Sequence, residues 1–191
     1  MADDGGGRPG DLEDSGGREP VWDAMRTRRA VRAFADRPIQ PDHLDRILHA
    51  GRRANSSKNS QRWAFIVCRD RERLRQLATL GPWAGHLAGA AVGIALVTPD
   101  PRADGQPLSV MFDLGQAADS MMLAAWELGV GSVPATVYQQ DRARELLGYP
   151  ADLHCEYLLS FGYPADPSDL TRPPKVGGRR PLDDLVHEER W

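Results

Sequence analysis

The segment PLSVMFDLGQAADSMMLAAWELGVG, from Pro107 to Gly131, carries the longest continuous helical pattern of the chain. Its apolar residues occupy most of the helical circumference, whereas a surface helix carries them on one stripe. Gly129 and Gly131 follow the last apolar turn, and glycine commonly ends a helix. The segment therefore predicts a long central helix that is covered on more than one side.

Short apolar segments on both sides of this helix predict strands, and most of them adjoin helical patterns. One helix is expected from Pro20 to about Arg29, and a second begins after Pro41. No strand is followed by G-x-G-x-x-G, so a simple doubly wound fold is disfavoured. We predict an α+β fold in which helices cover a mixed sheet. The predicted strands are WAFIVCR (63–69), AAVGIALVTPD (90–100), SVPATVY (132–138) and CEYLLSFGY (155–163).

The composition of the 191 residues, 41% hydrophobic and 27% charged, is that of an ordinary globular protein. Residues 1–19 consist largely of Gly, Asp and Glu, and such a segment buries too little apolar surface to offset its chain entropy. We therefore predict a disordered tail over 1–19 and one domain over 20–191.

Several classes of protein are disfavoured by simple patterns. The longest apolar run, Leu87 to Val97, is shorter than the roughly 20 residues that cross a bilayer, and no signal-peptide core is visible. A soluble, cytoplasmic protein is expected, in which the isolated Cys68 and Cys155 are buried thiols. The net charge of −3 argues against a general nucleic-acid binder. A non-enzymatic nucleic-acid module that uses the face from Arg26 to Arg32 is kept as a hypothesis beside the enzymatic ones given below.

The usual signatures of metal and nucleophilic catalysis are missing from the sequence. The five histidines show no metal-ligand spacing, and neither G-x-S-x-G nor a P-loop occurs. We expect no metal site. If the protein is an enzyme, an organic cofactor carries the chemistry.

The most unusual local feature is a cluster of arginines. The chain contains 22 arginines, and four of them fall between Arg26 and Arg32. On a continuing helix, Arg32 is four residues from Arg28 and three from Arg29, so the three guanidiniums can converge on one anion such as phosphate. The alternative is a set of solvated arginines that stabilises the C-terminal end of a helix.

Three further segments are candidate binding elements. Between the second helix and the first strand, six of the seven residues from Asn55 to Gln61 are Asn, Ser or Gln, and their amides suit the edge of a heterocycle. GVGSVPATVY (129–138) and VGGRRPLDD (176–184) contain glycines that allow close backbone approach. Each alone is equally compatible with a polar loop or a helix cap.

Taken in this order, the four segments resemble the FMN-dependent nitroreductase family. RRAVRAF, which starts at Arg28, is similar to its R-R-S-x-R-x-F-like segment, except that Ala30 lacks the hydroxyl. ANSSKNSQRW is similar to its A-P-S-x-x-N-x-Q-P-W-like loop, with Asn55 and Arg62 in place of two prolines. The L-G-x-G turn at Leu128 and R-R-P-L-x-x-x-V at 179–186 complete the resemblance, which covers 21–191.

The resemblance implies a mostly antiparallel sheet, a long central helix, and a homodimer with FMN at the interface. Arg28, Arg29 and the backbone near Ala30 would hold the phosphate, helped by Arg179 or Arg180. Arg32 would support the N1/C2=O edge of the flavin electrostatically, since negative charge gathers there on reduction. The missing Ala30 hydroxyl should cost about 1 kcal/mol. The other implied contacts are Ser57, Asn59 and Gln61 to the ring or ribityl chain, and the backbone of Pro134, Ala135 and Thr136 near N5.

The function implied by the resemblance is hydride transfer from NADH or NADPH to a nitroaromatic, quinone or similar acceptor by a ping-pong mechanism. The flavin would carry the electrons, so no side chain is expected to be catalytic in its own right. An alternative is a flavin-binding relative that does not use nicotinamide, such as the benzimidazole-forming or deiodinating branches. The altered loop residues Asn55, Lys58 and Arg62 keep that alternative open.

Overall fold

The computed structural model describes residues 19–173 and 177–191. The predicted tail over 1–19 lies almost entirely outside them and stays a prediction. Among the described residues, no helix combines the length and apolarity required to cross a membrane. The helices are α1 (Glu19–Thr27), α2 (Pro41–Arg52), α3 (Arg71–Leu77), α4 (Ser109–Glu127) and α5 (Gln140–Leu147), and the strands are β1 (Ala64–Cys68), β2 (Val92–Pro99), β3 (Gly131–Thr136) and β4 (Leu153–Gly162).

The four strands form one antiparallel sheet in the order β1-β2-β4-β3. An isolated bridge between Ala30 and Ser132 adds a parallel pairing at the β3 edge. The α+β class with a mostly antiparallel sheet is therefore confirmed. All four predicted strands form, with ends shifted by one or two residues.

Helices cover both faces of the sheet, and the alternation of side chains along β4 separates two cores. Leu159 and Phe161 belong to a core shared with α2 and α4. Leu158 belongs to the opposite core, shared with α3 and α5. The pleat of a strand sends successive side chains to opposite faces, so this apolar run serves both layers.

The predicted central helix is confirmed as α4, which packs against α2, the sheet and α1. Its buried residues include Leu114, Met121 and Ala125. Phe112, near its first turn, is 72% exposed. The apolar circumference is therefore only partly covered within one chain.

The prediction that the first helix runs to about Arg29 is wrong at its C-terminal end, because α1 ends at Thr27. Beyond it, the Val31 amide donates to the Ser132 carbonyl at 3.1 Å. Val31 and Phe34 then pack against Gly131 and Gly162, which are partners in the β3–β4 ladder. Burial of these two side chains against the sheet is worth more than another helical turn, so the helix stops before them.

Both cysteines are free and buried, as predicted. Burial raises the pKa of the Cys155 thiol to about 12. It also raises the pKa of Cys68, against the opposing effect of Arg73. Both thiols are therefore protonated and unreactive near neutral pH.

Candidate functional site

Arg28 lies against the central helix and is only partly satisfied there. Its Nη2 donates to Asp119 Oδ1 at 2.6 Å, and its Nη1 lies 3.6 Å from the Met122 sulfur. Its Nε is buried and has no hydrogen-bond partner within the described residues. An unsatisfied buried donor costs about 1–3 kcal/mol, so an acceptor brought to Nε would stabilise the protein.

Arg29 links the end of α1 to the 167–172 region. Its Nη1 donates to the carbonyls of Arg26 and Arg28, both at 3.0 Å, and its Nε donates to the Arg172 carbonyl at 3.1 Å. The main-chain amide of Arg29 donates to Leu170. Its Nη2 makes no hydrogen bond within the described part of the chain, and this group is the one left for a ligand.

Arg32 lies beyond Val31 and is exposed. The expectation that Arg28 and Arg32 share one helical face is wrong, because the helix ends at Thr27 and Val31 inserts over the sheet between them. Backbone bridging at Ala30, which is exposed, turns the chain across the β3 edge. Helical spacing therefore does not bring the guanidiniums together.

His86 is a titratable group whose pKa is affected by Arg32. Its Nδ1 lies 2.7 Å from the hydroxyl of the fully buried Ser160, and its Nε2 is buried without a partner of normal geometry in the described residues. Burial, and after it the charge of Arg32, lowers the pKa of His86, while the Pro134 carbonyl acts in the opposite direction. Arg32 directly follows Val31, whose amide donates to the Ser132 carbonyl two residues before Pro134, so Arg32 and Pro134 lie near the same strand edge.

The loop 57–61 has an unusual backbone. Lys58, Asn59 and Gln61 all have positive φ, at 54°, 54° and 46°. This left-handed region is uncommon for residues other than glycine, and such conformations cluster at functional sites. Gln61 Nε2 donates to Asn59 Oδ1 at 3.1 Å, so the two amide side chains orient each other at the surface.

The loop is attached to α4 through Asp113, which is 5% exposed. The Ser57 amide donates to Asp113 Oδ2 at 2.9 Å, and the Gln61 amide donates to Ser56 Oγ at 3.0 Å. The sequence-based prediction missed Asp113 and also Asp119. The available signal was two aspartates within the most apolar helix of the chain, since a carboxylate that is buried there, as Asp113 is, needs a partner.

The third predicted element lies on β3, an edge strand of the sheet. Ser132 directs its carbonyl away from β4, towards Val31. Main-chain direction alternates along a strand, so Pro134 and Thr136 point the same way while Ala135 points towards β4. Pro134 has no N–H, and therefore the Thr136 amide is the donor that this stretch offers at its open edge.

A groove of about 400 Å³ runs between α4 and the sheet beside this edge. It brings Pro134 next to Asp119, the partner of Arg28. Its lining is mainly apolar and consists of Leu96, Met111, Leu114, Gly115, Ala118, Asp119, Met122, Pro134, Tyr157 and Leu159.

The loop 57–61, here called the amide loop, borders a different, polar pocket of the same chain. That pocket is lined by Asn59 and Gln61 together with Arg52 and Arg53. Within one chain, the structure therefore places Asp119 and Met122, the two side chains that Arg28 contacts, in one groove with Pro134, whereas Asn59 and Gln61 line a second pocket.

The two C-terminal candidates, Arg179 and Arg180, are exposed. Arg180 Nη2 donates to the Asp184 carbonyl at 2.7 Å. Within the described residues, neither side chain hydrogen-bonds another predicted site residue. Their assignment to a phosphate remains a prediction.

Comparison with known proteins gives this arrangement a family context. The "Nitroreductase family" model matches residues 25–85 and 79–163. A relative from Archaeoglobus fulgidus, provisionally named NADH dehydrogenase/NAD(P)H nitroreductase, is 35% identical over 170 residues, which are 86% of this chain and 95% of the relative. The FMN reductase [NAD(P)H] of Bacillus subtilis is 26% identical and covers 90% of this chain and 74% of its own length.

A solved structure extends the likeness to three dimensions. The FMN-dependent nitroreductase of Clostridium difficile R20291 superposes with a TM-score of 0.73 at 26% identity. The match covers 89% of this chain and 99% of that chain. The range matched by the family model, 25–163, includes the central helix, the four strands, the arginine segment and the loop 57–61.

Proposed function

The chain belongs to the nitroreductase family, and on that premise we propose that it is an FMN-dependent oxidoreductase that uses NAD(P)H to reduce a nitroaromatic, a quinone or a similar small acceptor. FMN supplies the chemistry when bound, taking hydride from the nicotinamide and passing electrons to the acceptor in a ping-pong cycle. The protein's own residues bind, orient and shield the reacting groups.

The observation that carries the proposal is the partly satisfied Arg28 beside the groove at the β3 edge. Its buried Nε lacks an acceptor within the described residues, and an anionic phosphate oxygen would supply one. Arg29 Nη2 offers further donors on the same segment. The groove itself is apolar, as the flat face of an aromatic ring requires.

The open edge of β3 fits the other end of such a ligand. The Thr136 amide is a donor two residues after Pro134, and Arg32 follows the Ala30–Val31 backbone that bonds the same edge at Ser132. A fixed donor and a cation there would stabilise negative charge on the ring, which is the electrostatic role we assign to Arg32.

We propose that the complete site requires a homodimer. Within one chain, the pocket beside Asn59 and Gln61 is separate from the groove between α4 and the sheet, here called the Arg28 groove because it contains Asp119, the partner of Arg28. A second chain can bring the one next to the other. The exposed apolar surface supports this assembly. It consists of Val21, Trp22 and Met25 on α1, Leu108 and Phe112 at the start of α4, and Leu182, Leu185, Val186 and Trp191 near the C-terminus.

The decisive experiment is an absorbance spectrum of the purified protein, followed by anaerobic titration with NADH and, separately, NADPH. We expect flavin bands that bleach with at least one nicotinamide and return when a quinone or nitroaromatic is added. A colourless protein that does not bind added FMN would refute the proposal. Bound flavin that stays oxidised with both nicotinamides would favour the alternative, a relative that does not use them.

A further inference from the structure

Asp113 is a buried carboxylate on an otherwise apolar face of α4. The residue is 5% exposed, and its neighbours on the buried side of the helix include Val110, Leu114 and Ala117. Its Oδ2 accepts the Ser57 amide proton at 2.9 Å. A charged acceptor and a backbone donor form one of the stronger hydrogen bonds available to a protein, particularly out of water.

This hydrogen bond is the external attachment of a strained loop. Lys58, Asn59 and Gln61 occupy the left-handed region. Within the described residues, the other hydrogen bonds formed by 57–61 stay inside 56–61, as those from Gln61 to Ser56 and to Asn59 do. Three left-handed residues persist only where the surroundings hold them. The bond from Ser57 to Asp113 ties them to the rigid central helix.

We propose that Asp113 is a positioning residue that holds 57–61 in its left-handed form and so presents Ser57, Asn59 and Gln61 to FMN. The inference rests on the proposed function for its ligand, but the anchoring itself belongs to the cofactor-free protein. A site is most precise when its contact residues are fixed by neighbours that do not touch the ligand. Asp113 would act through Ser57, with no contact of its own.

The first test is amide hydrogen exchange at Ser57, measured by NMR without FMN. Asp113→Ala should speed this exchange at least about tenfold, because the acceptor is lost. Asp113→Asn retains a side-chain oxygen and should stay near the wild-type rate. Asp141→Ala is the control, since it removes a carboxylate from α5 in the opposite layer, and it should change nothing at Ser57.

The second test is a double-mutant cycle for FMN affinity. Asp113→Ala should raise the dissociation constant of FMN about tenfold or more. Lys58→Gly should have a small effect alone, but in the Asp113→Ala background it should recover part of the loss, since glycine adopts a positive φ without strain. Asp113→Asn should bind FMN almost as the wild type does.

Two results would overturn the proposal. One is wild-type exchange at Ser57 in Asp113→Ala, and the other is an effect of Lys58→Gly that is equal in both backgrounds. If Asp113→Ala does not fold, Asp113→Leu keeps the volume without the acceptor and is judged by the same exchange measurement. Failure of the wild-type protein to bind FMN would refute the proposed function instead, while the exchange result would still decide whether Asp113 anchors the loop.

Discussion

At the scale of single residues, the four clustered arginines have different environments. Arg26 pairs with Asp23 one turn earlier on α1, in an exposed ion pair. Arg28 is half-buried against α4 and retains an unused donor. Equal charge therefore does not imply an equal role, and the two side chains form a matched pair for mutagenesis.

Arg28→Gln should raise the dissociation constant of FMN about 10- to 100-fold, because a hydrogen bond to a charged group is worth about 1.5–3 kcal/mol. Arg26→Gln should stay within about twofold of wild type, since exposed ion pairs contribute little. Quenching of flavin fluorescence during titration measures both. Equal losses in the two variants would show that the cluster acts only through its overall charge.

Because of His86, we expect the stability of the protein to depend on pH. Its folded-state pKa lies below the ordinary value, chiefly through burial and next through Arg32. The unfolded chain therefore binds this proton at higher pH than the folded chain does. The free energy of unfolding should fall as pH drops below about 6.5. Above that value His86 is neutral in both states and should add nothing to the pH dependence of the free energy of unfolding.

Urea unfolding of wild type and His86→Gln at about pH 7.5 and pH 5.5 checks this expectation. The loss of stability on acidification should be smaller in His86→Gln than in wild type. His187→Gln, in the exposed C-terminal segment, is the control and should retain the wild-type loss. An identical loss in His86→Gln would contradict the assignment.

At the scale of elements, the arginine segment is positioned by glycines in the sheet. A methyl group at Gly131 would lie 2.6 Å from Val31 Cβ, and one at Gly162 would lie 2.8 Å from the Phe34 ring. These contacts are too short for carbon atoms, so each glycine leaves the space that its partner fills. Gly131 and Gly162 thereby fix the positions of Val31 and Phe34, and Arg32 lies between these two residues in the chain.

Gly131→Ala should destabilise the protein by about 1–3 kcal/mol through overpacking and should also weaken FMN binding, because Val31 must move. Gly129→Ala provides the comparison. Gly129 has φ of 70° with nothing near its Cβ position, so alanine there should cost about 1 kcal/mol of strain with FMN affinity retained. Urea unfolding and FMN titration measure the two effects. If Gly131→Ala bound FMN with wild-type affinity, the packing of Val31 against β3 would not be needed to position the binding segment.

At the scale of the whole molecule, exposed apolar side chains lie on α1, at the start of α4 and in the C-terminal segment. Exposed apolar side chains in this number are candidates for an interface, because a large apolar surface left in water is unfavourable. A second copy of the chain is the occupant that would also bring the amide loop and the Arg28 groove to one ligand.

Light scattering should therefore give twice the mass of one chain. Phe112→Arg should shift the equilibrium towards monomer and weaken FMN binding together, since it places a charge in the proposed interface. Glu145→Arg, on α5 in the opposite layer, should remain dimeric with unchanged FMN affinity. A wild-type monomer that binds FMN tightly would refute the dimeric site.

The sequence by itself determined the elements and their order. The apolar periodicity of α4, the strand patterns and the glycines after α4 are local signals, because each reflects which side chains a single segment must bury. Short motifs in a fixed order, at 28–34, 54–63, 128–131 and 179–186, carried the resemblance to the nitroreductase family, which the family match confirms.

The tertiary structure alone decided where the functional groups lie. The first helix stops at Thr27 because Val31 and Phe34 pack against Gly131 and Gly162, which lie about 100 and 130 residues further along the chain. Asp113 acquires its role only when Ser57 is brought to it. Contacts between distant segments depend on packing of the complete fold, so no local pattern encodes them. For that reason helical spacing did not predict the different partners of Arg28 and Arg29.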